Sequence, residues 1–314
     1  MVPQSGGARD IHIIDTGMHG GRGITGAFIV RGERTALVET GPKSTLANVL
    51  SGLEAAGVES IDWIVVTHIH LDHAGAAGAL AQRWPEVRVA VHELGAPHLA
   101  DPSKLWASAR RIYGDAMEKL WGGVDPVPRD RIEVLSDGDV IDLGGRTLRA
   151  VETPGHARHH HALLDDSTGA LFAGDALGVR LPDVGVNRPA TPPPEFDLEQ
   201  AIRSIDRIRD LNAESLWLTH FGPTDRGAIP ATPSDACSEA VESLTQWDAW
   251  VRAGRKQSSD AESVTRFVVE RSKEALEGSL GASAIDRLEL TTSYSMNVSG
   301  YMRAIDKAEA PSTS

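Results

Sequence analysis

Between Val65 and Gly78 the chain reads VVTHIHLDHAGAAG, which places His68, His70, Asp72 and His73 at positions i, i+2, i+4 and i+5. On a continuous helix this spacing scatters four side chains around the circumference, whereas a loop leaving a strand can curl so that all four converge. Neutral imidazole and carboxylate are ligands that zinc, iron and manganese accept. Three further candidates each end a strand-like run: His156 in ETPGHA, Asp175 in LFAGDAL and His220 in LWLTHFG. Seven such groups at strand ends point to a metal centre. A histidine-based pH switch would not require aspartates at fixed places among the imidazoles. His160, four residues beyond His156, is read as a hydrogen-bond partner behind a ligand. His159 and His161 are read as members of a polar loop, and the isolated His12, His92 and His98 as ordinary surface or core side chains.

The elements that must position these groups alternate between β-like and α-like patterns from Ile11 to about His220. IHIID and GAFIV predict strands, and TALVE pairs with the latter across the RGER turn. Ser44 to Ala56 predicts a helix with Leu46, Val49, Leu50 and Leu53 on one face. WIVV, VRVAV, IEVL, DVIDL and TLRAVET predict further strands, and ALLDDSTGALFAGD a hairpin turning at 167–169. Residues 95–123 predict a helical insertion. Its Trp106, Tyr113 and Trp121 suit either a lid over the site or core and dimer contacts. Asp197 followed by Gln200 predicts a capping box opening a helix with Leu198, Ile202, Ile205 and Ile208 on one stripe. RLPDVGVNRPATPPP is too proline-rich for regular structure and is expected to form a pocket wall. In TGMHGGRG the glycines allow close approach to a ligand, with His19 and Arg22 as substrate contacts. The expected organisation is a disordered start (1–10), a main domain (11–227), a helical extension packed on it (228–309) and a disordered tail (310–314).

Composition narrows the class. The 314 residues carry a formal net charge of −13 with no large basic cluster, which argues against nucleic acid as partner. No apolar run approaches the roughly 18 residues of a membrane span, and MVPQSGGARD lacks the pattern of a secretory signal. The single cysteine, Cys237, cannot form an internal disulfide and lies far in sequence from the histidine cluster. A cytoplasmic protein acting on a small-molecule substrate is expected, without membrane contact and with a homodimer as its expected assembly.

THIHLDHAGA is similar to the hallmark motif of the metallo-β-lactamase superfamily, PGHARHH to its second motif, AGDAL to its bridging-aspartate motif and LTHFG to its last histidine. The resemblance spans about Ile11 to Gly227 and leaves the tail uncovered. It implies an α/β fold, the αβ/βα sandwich, here with a helical insertion and a helical C-terminal tail. It further implies two divalent metal ions, zinc first, with iron or manganese as alternatives. One would be held by His68, His70 and His156, the other by Asp72, His73 and His220, with Asp175 shared and Asp72 also serving as the catalytic group. Two such cations lower the pKa of a water to about 7 and supply a nucleophile for a carbonyl.

Departures from the wider family are informative. Aspartate stands at position 175 where zinc β-lactamases often have cysteine, and His70 stands where diiron flavoproteins have glutamate. His159 occupies a place often held by glycine. The implied function is that of a glyoxalase II or lactonase-like metallohydrolase cutting a thioester or lactone. A mononuclear iron dioxygenase of the persulfide type and a metal-binding protein without turnover are the alternatives.

Overall fold

The computed structural model describes residues 11–181, 183–227, 229–276 and 282–310. The expected disordered ends, at 1–10 and 310–314, lie outside the described residues except for Ala310. The chain divides into two compact units, one of Met1–Glu152, His159–Gly174 and Ala213–Pro223, the other of Thr153–Arg158, Asp175–Asn212 and Thr224–Ser314.

The first unit begins with β1 (Ile11–Asp15), β2 (Gly26–Arg31), β3 (Thr35–Val38), β4 (Trp63–Val65), β5 (Arg88–His92) and β6 (Ile132–Leu135), which form one sheet in sequence order. The first three strands pair antiparallel, with Val30 opposite Ala36 across the turn, and β3 to β6 pair parallel. Parallel neighbours need a crossover, and helices supply each one. They are α1 (Leu46–Ala55), the single turn α2 (Leu71–Ala74) with α3 (Ala77–Arg83), and then α4 (Ala96–Ala100), α5 (Ser103–Tyr113) and α6 (Met117–Trp121).

The two faces of this sheet follow the period-2 alternation of its strands. Ala27, Ile29, Leu37, Ile64, Val89 and Val91 pack with Val49 and Leu53 of α1 and Leu80 of α3. Their strand neighbours Phe28, Val30, Ala36, Val65 and Ala90 point the other way, against the second sheet. That sheet contains β7 (Val140–Asp142), β8 (Thr147–Glu152), β9 (His161–Asp165), β10 (Ala170–Gly174), β13 (Ser215–Leu218) and β14 (Gly222–Pro223), in the order β14-β13-β10-β9-β8-β7. Leu148, Ala150, Leu163, Phe172 and Trp217 fill the space between the sheets. Phe28 lies 5.4 Å from Phe172 and 6.0 Å from Trp217 between ring centroids.

The second unit holds the short antiparallel pair β11 (Val179–Arg180) and β12 (Asn187–Arg188), followed by α7 (Leu198–Asp210), α8 (Pro233–Arg255), α9 (Ala261–Leu276), α10 (Ala282–Thr291) and α11 (Tyr294–Glu309). Asn297 of α11 is fully buried. Its Nδ2 donates to Pro189 O at 2.7 Å and its Oδ1 accepts from Thr191 N at 2.9 Å. Gly300 lets α11 approach that segment, because a Cβ there would stand 1.8 Å from Thr191 O. Among the described residues no helix is long and apolar enough to cross a membrane.

Several expectations change. The proline-rich stretch after Asp175 is not wholly irregular, since β11 and β12 pair within it. Strand β14 carries no clear sequence signal, and α10 falls within the expected helical extension without a stripe of its own to mark it. Asp197 caps α7 through Oδ1, which accepts from Gln200 N at 3.0 Å, but the reciprocal half of a capping box is missing. The Asp197 N–H donates instead to Gly155 O, so the Gln200 side chain turns to Asp197 Oδ2 at 3.0 Å.

One buried ion pair ties the second sheet's turns together. Arg146 Nε donates to Asp165 Oδ2 at 2.8 Å and Arg146 Nη1 to Arg31 O at 3.0 Å, while Asp165 Oδ1 accepts from Ser167 Oγ at 2.6 Å. Asp165→Ala strands a guanidinium in the interior, and urea unfolding is expected to show a loss of about 3–5 kcal/mol. A loss below about 1 kcal/mol would place the pair among those of no net consequence.

Candidate metal centre

The ligand run leaves the end of β4. Val66 N still donates to Ala90 O on β5, and the chain then turns away through Thr67, His68, Ile69 and His70 into α2. The loop expected for all four groups therefore carries only His68 and His70. Asp72 and His73 stand on a single helical turn, where neighbouring positions diverge by about 100°. Their convergence is a tertiary effect. His73 O accepts from Thr40 N at 2.7 Å and Thr40 Oγ1 at 2.8 Å, which fastens α2 to the segment after β3.

Within the first unit, Asp72, His73 and His220 each offer an atom within 4.8 Å of the others. Asp72 Oδ2 lies 3.6 Å from His73 Nε2 and 3.4 Å from His220 Nε2. His68 Nε2 lies 2.9 Å from His70 Nδ1. Ligand atoms 2.0–2.1 Å from a tetrahedral ion sit about 3.3 Å from one another, so these separations suit a shared cation. The second unit brings together the other two candidates, with His156 Nε2 3.5 Å from Asp175 Oδ2.

The remaining ring nitrogens fix which atom faces a cation. His73 Nδ1–H donates to Glu39 Oε1 at 3.1 Å, His220 Nδ1–H to Ile24 O at 2.7 Å and His156 Nδ1–H to Ala190 O at 2.8 Å. Thr67 Oγ1 donates to Glu39 Oε1 at 2.6 Å and so accepts from His68 Nδ1–H at 3.0 Å. Four imidazoles are thereby held with a bare Nε2, the form a metal requires.

Glu39 is the residue that sequence reasoning missed. It is fully buried just after β3, with a left-handed φ of 63°, and it also accepts from Thr219 Oγ1 at 3.3 Å. The signal was available in VETGP: a carboxylate ending a strand, where an unpaired charge is costly to bury.

His160 packs against His68 with ring centroids 5.0 Å apart. Gly174, with φ of 52°, admits it, because a Cβ there would stand 2.6 Å from both His160 Nε2 and Thr67 Oγ1. His159 lies in the turn before β9 as the polar-loop reading has it, although it is buried, whereas His161 is buried within a strand and departs from that reading. The His159 ring stacks on His68 at 6.1 Å, and His161 opens β9 with Nε2–H donating to Val66 O at 3.0 Å.

Of the expected substrate contacts, Trp106 and Tyr113 line a cluster of Met18, Ile24, Leu71, Met117 and Trp121. The His19 ring meets Trp121 edge-on at 5.9 Å. Burial holds His19 below its ordinary pKa, against the pull of the Asp72 carboxylate. Burial first and Asp72 second hold the Tyr113 phenol well above its usual range. Arg22 is exposed and is not brought into this cluster.

A metallo-β-lactamase superfamily model matches residues 13–220, the stretch that contains all seven candidate ligands. The chain belongs to the metallo-β-lactamase superfamily. It is 29% identical over 219 residues to a metallo-β-lactamase fold-containing protein of Sulfurisphaera tokodaii, covering 68% of this chain and 79% of that one. A hydroxyacylglutathione hydrolase of Synechococcus is 26% identical over 194 residues, 62% of each chain. The crystal structure of an archaeal superfamily member from Sulfolobus tokodaii superposes with a TM-score of 0.68 at 25% identity, covering 93% of this chain and 97% of that one. The fold is thus the metallo-β-lactamase fold with a helical C-terminal region, as the motifs implied. Members of the superfamily are generally hydrolases, and the His and Asp clusters are compatible with a metal site.

Two measurements probe this site. Glu39→Gln removes the charge behind His68 and His73, and chelator competition is expected to show zinc affinity falling 10–100-fold. Unchanged affinity would make Glu39 a packing residue. His161 tests the site's pH response, because burial, aided by neighbouring His92, lowers its pKa from 6.5 to about 3. Between those values the unfolded chain binds a proton that the folded chain refuses, so stability rises with pH across that window and levels off above it. His161→Gln keeps a donor to Val66 O and is expected to flatten the slope of stability against pH from about 3 to 6.5.

Proposed function

We propose that this protein is a dinuclear metallohydrolase that opens a thioester or lactone in a small molecule. His68, His70 and His156 would hold one divalent ion, Asp72, His73 and His220 the other, and Asp175 would be shared between them. The observation that carries this reading is a repeated arrangement. His73, His156 and His220 each tie Nδ1 to a fixed oxygen and turn Nε2 towards a carboxylate at 3.4–3.6 Å. Nitrogen and carboxylate donors without cysteine favour zinc, and they also suit iron or manganese.

Bound there, two such ions supply an acidified water and a Lewis acid for the carbonyl. The protein's own contribution is to orient the ligands and to manage a proton. Asp72 is the candidate for the latter, because its side chain is 16% exposed while those of His73 and His220 are 0% and 2% exposed. A carboxylate on the open side of the centre is placed to pass a proton to a leaving group. The hydroxyacylglutathione hydrolase among the relatives supports an acyl bond as target.

The reading is tested by elemental analysis of metal-replete protein, assayed with thioesters, lactones and phosphoesters. Two transition-metal ions per chain and turnover of an acyl substrate are expected. Asp175→Ala is expected to abolish that turnover and to lose at least one ion. One iron per chain with oxygen consumption would replace this reading by a dioxygenase, and a metal-replete protein inert to the whole panel would replace it by a binding protein.

A further inference from the structure

The aromatic cluster beside Asp72 contains two polar atoms that nothing in the hydrolase reading uses. Trp121 is 3% exposed, yet its Nε1–H has no hydrogen-bond partner among the described residues. His19 Nδ1 is likewise buried and without a partner among them. An indole N–H is a donor only, and leaving one buried and unmade is costly. The chain holds both groups in place regardless. His19 adopts a left-handed φ of 55° between Gly17 and Gly20, a conformation that costs a non-glycine residue energy. Trp121 is the last residue of α6. That helix is stopped by Gly122 at φ 71° and anchored by Ser44 Oγ, which donates to Leu120 O at 2.7 Å.

This cluster adjoins the metal ligands through shared residues. Ile24, one of its members, supplies the carbonyl that fixes His220, and Leu71, another, precedes Asp72. Met18 Sδ accepts from Thr25 Oγ1 at 3.0 Å, and that hydroxyl lies 3.5 Å from His220 Nδ1. The rest of the lining is apolar or aromatic: Met18, Leu71, Trp106, Tyr113 and Met117. The Asp72 carboxylate, whose field reaches His19, would repel an anion there. Helix α5 forms one wall of the cluster. None of its residues is fully buried, while Leu105, Trp106, Ala109 and Tyr113 cover the cluster from one side. An element with so little buried surface is the one that yields at low cost.

We propose that Trp121 and His19 form the polar end of a substrate pocket for an aromatic or bulky apolar group carrying a neutral carbonyl-type acceptor, with Trp121 Nε1–H as donor to that oxygen. The proposal rests on the hydrolase reading for the bond that is cut. The binding of the group is separate from its turnover, and a ketone that cannot be hydrolysed tests it alone.

Acetophenone and ethylbenzene differ only in the acceptor. Both are titrated into metal-replete protein carrying 15N-labelled tryptophan, with Trp121→Phe identifying the Trp121 indole resonance. Acetophenone is expected to move that N–H proton downfield and ethylbenzene to leave it in place. Trp121→Phe is expected to weaken acetophenone about two- to tenfold and ethylbenzene little, the size of one hydrogen bond. An unmoved resonance, or equal weakening of both ligands, would overturn the proposal and assign Trp121 to packing. Should Trp121→Phe not fold, a wild-type crystal soaked in acetophenone decides. A carbonyl oxygen within about 3.2 Å of Nε1 supports the pocket, and any other pose, or none, overturns it. If acetophenone binds as expected while no ester in the panel is turned over, the hydrolase reading fails and the pocket stands.

Discussion

The site depends on one buried carboxylate. Glu39 accepts from Thr67 N, Thr67 Oγ1, His73 Nδ1–H and Thr219 Oγ1, and these donors come from the ends of β4 and β13 and from α2. A charge without water is tolerable only when its oxygens are satisfied in this way. The same bonds set the ligand geometry, directly at His73 and through the Thr67 hydroxyl at His68. Fold stability and the orientation of His68 and His73 therefore share one residue. Glu39 holds a left-handed backbone at this position, with φ of 63°.

That position exists because two twisted sheets meet there. His161 N donates to Thr67 O at 3.0 Å and Gly26 N to Thr219 O at 2.9 Å, so the strand ends of the two sheets are joined by backbone bonds where the ligands emerge. Below this rim the aromatic contacts of Phe28, Phe172 and Trp217 fill the interior with large, stiff side chains. Rigid packing beneath and hydrogen-bonded strand ends above is the arrangement a metal centre needs, because ligand atoms must be held before the ion arrives.

The insertion and the second unit show how polar atoms are managed away from the centre. Asn297 satisfies its amide on Pro189, Thr191 and Thr292, so a buried polar group there secures the proline-rich segment. Trp121 and His19 do the opposite, retaining buried nitrogens without partners among the described residues. A fold that satisfies one and leaves the other unmade marks the second as a place where something else completes the bonding.

The seven candidate ligands were legible because their chemistry is local. Imidazole and carboxylate at short spacing on strand ends are rare without a task, and the strands declared themselves through alternation, as in Phe28 and Val30 against Ala27 and Ile29. Helix α1 was legible for the same reason, from Val49 and Leu53. What the sequence could not reveal were roles set by partners distant along the chain. Glu39 looks like any strand-ending glutamate until Thr67, His73 and Thr219 surround it, and His159 and His161 look like a polar loop until β9 and His68 bury them. Asp72 and His73 diverge on their own helical turn, and the bonds from Thr40 to His73 and from His220 to Ile24 hold α2 and His220 where the three groups meet. Sequence determined which groups can bind a metal, since that is a property of side chains and spacing. Tertiary structure decided which nitrogen faces the ion, since that depends on the acceptor each ring finds across the fold.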